Sequence, residues 1–299
     1  MVVFTQGMVR FAFWNARPLG PIMTLAVLLA GCSAPVAAPP AVEAPAESPA
    51  AASGSSGDDD VLVQYSLITA LAAGDYDEGM PLRRLLEAGD FGLGTFDRLA
   101  GELILLDGEL YQALADRTVR PADLSGGTPF ATVTTFDEDG RIENLSAATL
   151  EDLDEQLDRK LPRRNAPYAL RIDGDFRALT LRSVPAQKRP YQPLVEVVKH
   201  QTTWSREDTR GTLIGLRCPE WAGTINVAGY HWHFLSDDRQ SGGHVLDCQF
   251  DGALLRYDEC TTLTVHIPTS AAFEQYRADA VDDKDIDKIE RQRAPGDGE

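Results

Sequence analysis

The spacing of hydrophobic residues predicts two amphipathic helices in the first half of the chain. Residues 82–88 carry leucines at helical spacing between Pro81 and Gly89, residue types that favour the beginning and the end of a helix. Residues 150–161 carry four leucines at the same spacing, and Thr149 before them suits an N-cap. Each segment therefore presents one apolar face for packing.

Alternating and continuous apolar runs predict many short β-strands. Asp107-Gly108 and Asp173-Gly174 are each predicted to form the turn of a β-hairpin. A short helix is expected to begin at Pro193, and another after a Thr269 or Ser270 cap. Four further strand candidates follow one another at residues 211–219, 224–234, 243–250 and 253–268.

These elements predict an α+β protein, or an α/β two-domain protein, with mixed, largely antiparallel β-sheets and a few short helices. Its 299 residues exceed the usual size of one domain. We expect an N-terminal mixed-sheet domain over residues 61–165 and a C-terminal β-rich domain over residues 166–299, whose tail returns to it.

The N-terminus resembles an export signal. Residues 1–31 combine a basic start with an apolar run that is too short to span a membrane, which predicts a signal peptide. Leu29-Ala30-Gly31-Cys32 resembles a bacterial lipobox, so lipidation of Cys32 is expected, with an ordinary secretory signal as the alternative. The protein would then be exported and lipid-anchored in the bacterial cell envelope, on its periplasmic or cell-surface side, with residues 32–60 as a disordered Ala/Pro/Ser-rich tether.

The net charge limits which macromolecules the protein can bind, and the cysteines limit which cross-links and metal sites it can form. The formal net charge is −18, which disfavours binding to nucleic acid or anionic lipid and leaves the lipid anchor as the expected membrane contact. In an oxidising compartment, two of Cys218, Cys248 and Cys260 could form a disulfide. Their spacing contains no CxxC pair, so a zinc knuckle is not expected.

Three of the five histidines lie close together in the second half of the chain. His231 and His233 are two residues apart, so on a strand both side chains point to the same face. The polar segment 236–243 then turns the chain, and His244 begins a strand that can run back alongside. Three imidazoles in this arrangement predict a metal site with open positions, with Zn²⁺ as the first candidate and other divalent transition metals as alternatives.

Other residues near this motif suggest a different metalloenzyme. Asp237 follows His233 by four residues, which is similar to the cupin arrangement with an acidic fourth ligand. A cupin-like oxygenase or isomerase is therefore an alternative, as is a non-catalytic envelope lipoprotein that binds a ligand. His200 and His266 are predicted to be structural or exposed to solvent.

Three segments, residues 89–112, 171–201 and 223–247, together resemble the α-acetolactate decarboxylase family. The resemblance extends from about Gln64 onward. It implies a two-domain α/β protein, commonly a homodimer, in which three histidines hold zinc near a cleft. The implied reaction converts 2-acetolactate to acetoin and CO₂.

The resemblance also implies individual roles. The metal ligands would be His231, His233 and His244, the active-site groups Glu102, Arg182 and Glu290, and a residue lining the pocket Thr95. The metal would chelate the keto and hydroxyl oxygens of the substrate, Arg182 would bind its carboxylate, and Glu102 or Glu290 would protonate the enediolate. We favour Glu102 as the proton donor because it lies on a predicted strand.

Overall fold

The computed structural model describes residues 60–77, 79–278 and 281–291. The predicted signal peptide, Cys32 and the tether up to residue 59 lie outside the described residues. The described strands, in chain order, are β1 (Val61–Tyr65), β2 (Met80–Pro81), β3 (Phe91–Thr95), β4 (Glu102–Leu106), β5 (Glu109–Ala113), β6 (Val119–Pro121), β7 (Gly127–Thr128), β8 (Phe130–Thr134), β9 (Gly140–Ala147), β10 (Tyr168–Ser183), β11 (Thr202–Cys218), β12 (Gly229–Ser236), β13 (Gly242–Glu259) and β14 (Thr262–His266).

The described helices are short. They are α1 (Ile68–Ala73), α2 (Leu82–Ala88), α3 (Leu150–Lys160), α4 (Leu194–Val197), α5 (Ala271–Gln275) and α6 (Asp283–Arg291). Thr149 caps α3 through its side chain, which accepts a hydrogen bond from the Asp152 amide, and Ser270 caps α5 in the same way. Among the described residues, no helix has the length and apolar character needed to span a membrane.

Two sheets dominate the described structure. The first has seven strands in the order β14-β1-β8-β3-β4-β5-β6, and the second has five in the order β10-β11-β12-β13-β9. All pairings in these two sheets are antiparallel except that of β1 with β14. The predicted fold class, largely antiparallel sheets with a few short helices, is therefore confirmed. Division into two domains at residue 165 stays a prediction, and each sheet takes strands from both sides of that position.

Two sequence expectations about turns were wrong. Asp173-Gly174 lies inside the single strand β10. The strand candidate at 243–250 and the first part of the candidate at 253–268 form the single strand β13, and the rest of the latter contains β14. The cause is tertiary pairing, because β10 is hydrogen-bonded to β11 on one side and to β13 on the other. Gly174 serves close packing, since a Cβ there would lie 2.8 Å from the Cβ of Ala253. By contrast, Asp107-Gly108 forms the predicted turn between β4 and β5.

The second sheet curves until its strands form a ring of pairings. β10 pairs with β11, β11 with β12, β12 with β13, and β13 with β10 again. Phe176 packs edge-on against Phe234 and Phe250 in the core of this sheet. A second apolar cluster joins the two sheets and includes Ile104 of β4 and Ile214 of β11. The ring thus holds β12 with one face toward its own core and the other toward the seven-stranded sheet.

Candidate metal centre

Side chains along β12 alternate between two faces. One face packs into the core, and the other carries the histidines. Tyr230, Trp232 and Phe234 point into the core of the five-stranded sheet. Trp232 Nε1 donates a hydrogen bond to Asp154 of α3 at 3.1 Å, which fixes the strand from that side. His231 and His233 therefore point together to the opposite face, as the sequence predicts.

A tight turn brings the third imidazole beside these two. The Ser236 amide donates to the Ser241 carbonyl oxygen at 2.8 Å, and this bond closes the connection between β12 and β13. His233 and His244 become direct partners across the two strands. One ring nitrogen from each of His231, His233 and His244 lies within 4.8 Å of the others, and all three residues are buried.

Hydrogen bonds to backbone carbonyls determine which ring nitrogens keep a lone pair. His233 Nδ1 donates to the Leu103 carbonyl oxygen of β4 at 2.8 Å, which leaves Nε2 with the lone pair. His244 Nε2 donates to the Glu290 carbonyl oxygen of α6 at 3.0 Å, which leaves Nδ1. His244 Nδ1 lies 3.2 Å from His231 Nε2. Two nitrogens bound to one tetrahedral zinc are separated by about 3.3 Å, so this spacing suits a shared cation.

Burial keeps the three imidazoles neutral. It lowers the pKa of His231 to about 3, and the positive charge of Arg182 acts in the same direction. Burial likewise lowers the pKa values of His233 and His244 well below the usual range. His233 Nε2 is fully buried and has no hydrogen-bond partner among the described residues. A neutral, buried donor atom of this kind fits a metal ligand, because a bound cation would satisfy it.

Glu102 and Arg182 form a buried pair next to the imidazoles. Glu102 opens β4 directly after Gly101, whose φ of +92° and close approach to the Ala113 carbonyl both require glycine. Its Oε1 lies 3.9 Å from Arg182 Nη1, and its Oε2 lies 3.7 Å from His233 Nε2. Arg182 is the cross-strand partner of His244 on β10. Sheet pairing therefore places the cation of Arg182 and the carboxyl of Glu102 next to each other, beside the imidazoles.

Burial changes the protonation of Glu102. Burial, the largest cause, and the negative charge of Glu290 raise the pKa of this carboxyl to about 7, against the positive charge of Arg182, which lowers it. The Val184 amide donates a hydrogen bond to the same carboxyl and favours its ionised form. A carboxyl with a pKa near 7 can both hold and release a proton at neutral pH, which general acid catalysis requires.

Glu290 approaches the cluster from a separate element. Its Oε2 lies 3.6 Å from His231 Nε2 and 3.7 Å from His244 Nε2. Helix α6 holds it there by burying Ile286 and Ile289 in an apolar cluster that also contains Leu71 of α1 and Leu194 of α4. The predicted return of the C-terminal segment to the histidines is therefore present in the structure.

The seven residues predicted for the active site lie together. Thr95, at the end of β3, is the cross-strand partner of Glu102, and its hydroxyl donates to the Gly101 carbonyl oxygen at 2.9 Å. Six of the seven line one cavity: Thr95, Glu102, Arg182, His231, His244 and Glu290. His233 joins them through the group of three imidazoles. Apolar side chains from α1, α4 and α6 also line the cavity, as do Leu99, Phe130 and Val184.

The remaining candidates lie elsewhere. Asp237 is half-exposed and pairs with Arg210 at 3.2 Å, so the cupin-type fourth ligand is not part of the histidine group. His200 and His266 are exposed. Cys218, Cys248 and Cys260 are buried free thiols, and no disulfide joins them.

Besides the Glu290 carbonyl that accepts from His244, two contributions to the site come from backbone atoms of residues outside the predicted set. The Leu103 carbonyl orients His233, and the Val184 amide binds Glu102. Sequence reasoning missed both, because every residue carries these groups and only the tertiary fold selects the ones that matter. The sequence offered only proximity as a signal, because Leu103 directly follows Glu102 and Val184 lies two residues after Arg182.

Comparison with known proteins agrees with this geometry. Residues 62–279 match the family described as Alpha-acetolactate decarboxylase. The chain is 40% identical over 232 residues to an alpha-acetolactate decarboxylase of Methanosarcina mazei, covering 78% of this chain and 81% of that protein. It is 37% identical over 230 residues to that of Bacillus subtilis, covering 77% and 90%.

Solved structures give the same result. The crystal structure of alpha-acetolactate decarboxylase from Bacillus subtilis strain 168 superimposes with a TM-score of 0.74 at 37% identity, covering 77% of this chain and 99% of that one. A Staphylococcus aureus protein of unknown function, described as similar to alpha-acetolactate decarboxylase, gives a TM-score of 0.71 at 30% identity and covers 78% and 99%. From these matches, the chain belongs to the alpha-acetolactate decarboxylase family.

Proposed function

We propose that this protein is a carboxy-lyase that converts 2-acetolactate to acetoin and CO₂. The observation that carries the proposal is the convergence of three neutral imidazoles, one arginine and two carboxyls in a single buried cluster. Membership of the family supports the same reaction. Asp237, the residue on which a cupin-like alternative depends, pairs with Arg210 away from the imidazoles.

Zinc is the proposed metal, held by His231, His233 and His244. Three nitrogen ligands with room for further oxygen ligands are typical of catalytic zinc sites. When bound, the cation would supply Lewis acidity to the keto and hydroxyl oxygens of the substrate. The protein prepares its ligands in advance, because the Leu103 and Glu290 carbonyls orient the rings of His233 and His244.

Arg182 is proposed to bind the substrate carboxylate. Its side chain is almost fully buried, and its Nε has no hydrogen-bond partner among the described residues. As the bond to the carboxylate breaks, CO₂ leaves and the electron pair moves toward the neighbouring keto oxygen, giving an enediolate. Protonation of this enediolate at carbon yields acetoin, and Glu102, with its pKa near 7, is the proposed donor. Glu290 would support the imidazole side of the site.

The N-terminal proposals rest on sequence alone. We propose a signal peptide over residues 1–31, lipidation of Cys32, and anchoring in the bacterial cell envelope on its periplasmic or cell-surface side. The apolar run followed by Leu-Ala-Gly-Cys supports them.

A homodimer is also proposed, supported by the resemblance to a commonly dimeric family. Sedimentation velocity would test it, and a monomer at micromolar concentration would contradict it.

The first prediction concerns the metal and the reaction together. His233→Ala is expected to reduce zinc from one equivalent per chain to a trace, and acetoin formation from racemic acetolactate to background, because it removes a ligand. Elemental analysis and acetoin release measure the two effects. The exposed His266→Ala is the matched control and is expected to retain both. Full activity in zinc-free His233→Ala would refute the proposed site.

The second prediction separates substrate binding from metal binding. Arg182→Lys keeps the positive charge but loses the planar fork, so kcat/KM should fall by about 100-fold while zinc content is unchanged. Arg177→Lys, on the exposed side of β10, serves as the control. A parallel loss of zinc would show that Arg182 has a structural role instead.

The third prediction concerns the proton donor. Glu102→Gln is expected to lower kcat by about 10²–10⁴-fold, the usual contribution of general acid catalysis, with zinc retained. Residual acetoin should lose enantiomeric purity, because solvent would then deliver the proton to either face. Chiral chromatography measures this, with Glu109→Gln on the neighbouring strand as control. Unchanged enantiomeric purity would assign the proton to another group, with Glu290 the first to test.

The fourth prediction concerns the anchor. Cys32→Ser should shift the protein from the membrane fraction to the soluble fraction of expressing cells, because the thiol that carries the lipid is lost. Incorporation of labelled palmitate should be lost with it. A variant that stays in the membrane fraction would contradict lipidation at this position.

A further inference from the structure

A second group of oxygen ligands lies outside the cavity just described. Asp60 directly precedes β1, Asp139 directly precedes β9, and Asp258 lies near the end of β13. One carboxylate oxygen from each lies within 4.8 Å of the others. None of the three lines the imidazole cavity. They meet where the seven-stranded and five-stranded sheets are joined along the chain, between β13 and β14.

Asp258 is the unusual member of this group. Its side chain is 0% exposed, and its Oδ1 has no hydrogen-bond partner among the described residues. Its Oδ2 accepts only a long hydrogen bond, 3.4 Å, from the Asp137 amide. Within the described structure, no ion pair joins Asp139 or Asp258 to a cationic side chain. A buried carboxylate oxygen without a partner is unfavourable, and a cation beside it would remove the penalty.

The pKa of Asp258 is consistent with a carboxyl that lacks a cationic partner. Burial, the largest cause, and the negative charges of Asp139, Asp60 and Asp137 together raise the pKa of Asp258 to about 8, against the hydrogen bond from the Asp137 amide, which lowers it. When ionised, Asp258 therefore faces like charges and, among the described residues, no cationic side chain, so a bound cation would favour its ionised form.

Backbone pairing holds the three carboxylates in place. The Asp139 amide donates to the Tyr257 carbonyl at 3.0 Å, and Asp139 Oδ2 accepts from the Glu259 amide at 2.8 Å. The Asp60 carbonyl accepts hydrogen bonds from the amides of Thr261 and Thr262. The positions of these residues are therefore set by β9, β13 and β14, and a ligand would not have to order them on binding.

We propose that Asp60, Asp139 and Asp258 form a calcium site that joins the two sheets. Oxygen donors alone suit a hard cation, whereas zinc is better matched by the three imidazoles. Asp139 is exposed, so water can complete the six to eight oxygens that calcium takes. A dissociation constant of about 10⁻⁴–10⁻³ M is expected, as in extracellular calcium modules. The bound ion would link β1 to β9 and β13.

Thermal unfolding of the zinc-loaded protein tests the proposal. Adding about 10 mM CaCl₂ is expected to raise the Tm by about 3–8 °C, and MgCl₂ at the same concentration by clearly less. Asp258→Asn should be insensitive to calcium. In calcium-free buffer at about pH 9, above the pKa of Asp258, it should also be more stable than the unsubstituted protein, since it removes an unfavourable buried charge. Asp139→Asn, at an exposed position that tolerates substitution, should also lose the calcium response.

The control is Glu143→Gln, which removes an exposed charge from β9 and should keep the full response to calcium. Zinc measured in the same samples shows whether calcium has displaced the ion at the imidazoles. Isothermal titration with CaCl₂ should give one site, lost in Asp139→Asn. The proposal is overturned if calcium does not raise the Tm, if magnesium raises it equally, or if both aspartate variants retain the shift.

Discussion

The cross-strand pairing of His233 with His244 is the constraint on which the site depends. It requires the turn after Ser236 to close in one register, because a shift by one residue would turn His244 to the other face of β13. The same strand places His244 opposite Arg182 on β10. Register in one sheet therefore sets the relative positions of two imidazoles and the cation beside them.

The two sheets make different contributions to the chemistry. The five-stranded sheet supplies the imidazoles and Arg182, while the seven-stranded sheet supplies Glu102, Thr95 and the Leu103 carbonyl. His233 contacts both sheets, through its strand on one side and its Nδ1 hydrogen bond on the other. The reactive groups thus lie at an interface between two rigid layers, which favours fixed positions over mobile loops.

The sequence predicted those parts of the structure that local chemistry determines. The alternation in Tyr230–Phe234 predicted that both histidines share a face, and Thr149, Ser270 and Asp107-Gly108 correctly predicted two caps and a turn. Asp173-Gly174 gave an equally strong turn signal and was misread. This segment stays extended because β11 and β13 pair along both edges of β10. Arg171 and Arg256 also bind the Asp173 carboxylate, and the strand pairings and the contact with Arg256 bring together residues that are distant in sequence. Glu102, Arg182 and Glu290 were predicted from family resemblance, because their importance depends on burial beside the imidazoles.

Glu290 contacts His244 through two different groups, a backbone carbonyl and a carboxylate. Both are carried by α6, which is held on α1 and α4 by two isoleucines. A displacement of this helix would alter the tautomer preference of His244 and the local negative charge in the same step. The orientation of His244 and the negative charge beside it therefore depend on one small apolar contact, so that loosening the helix would weaken both together.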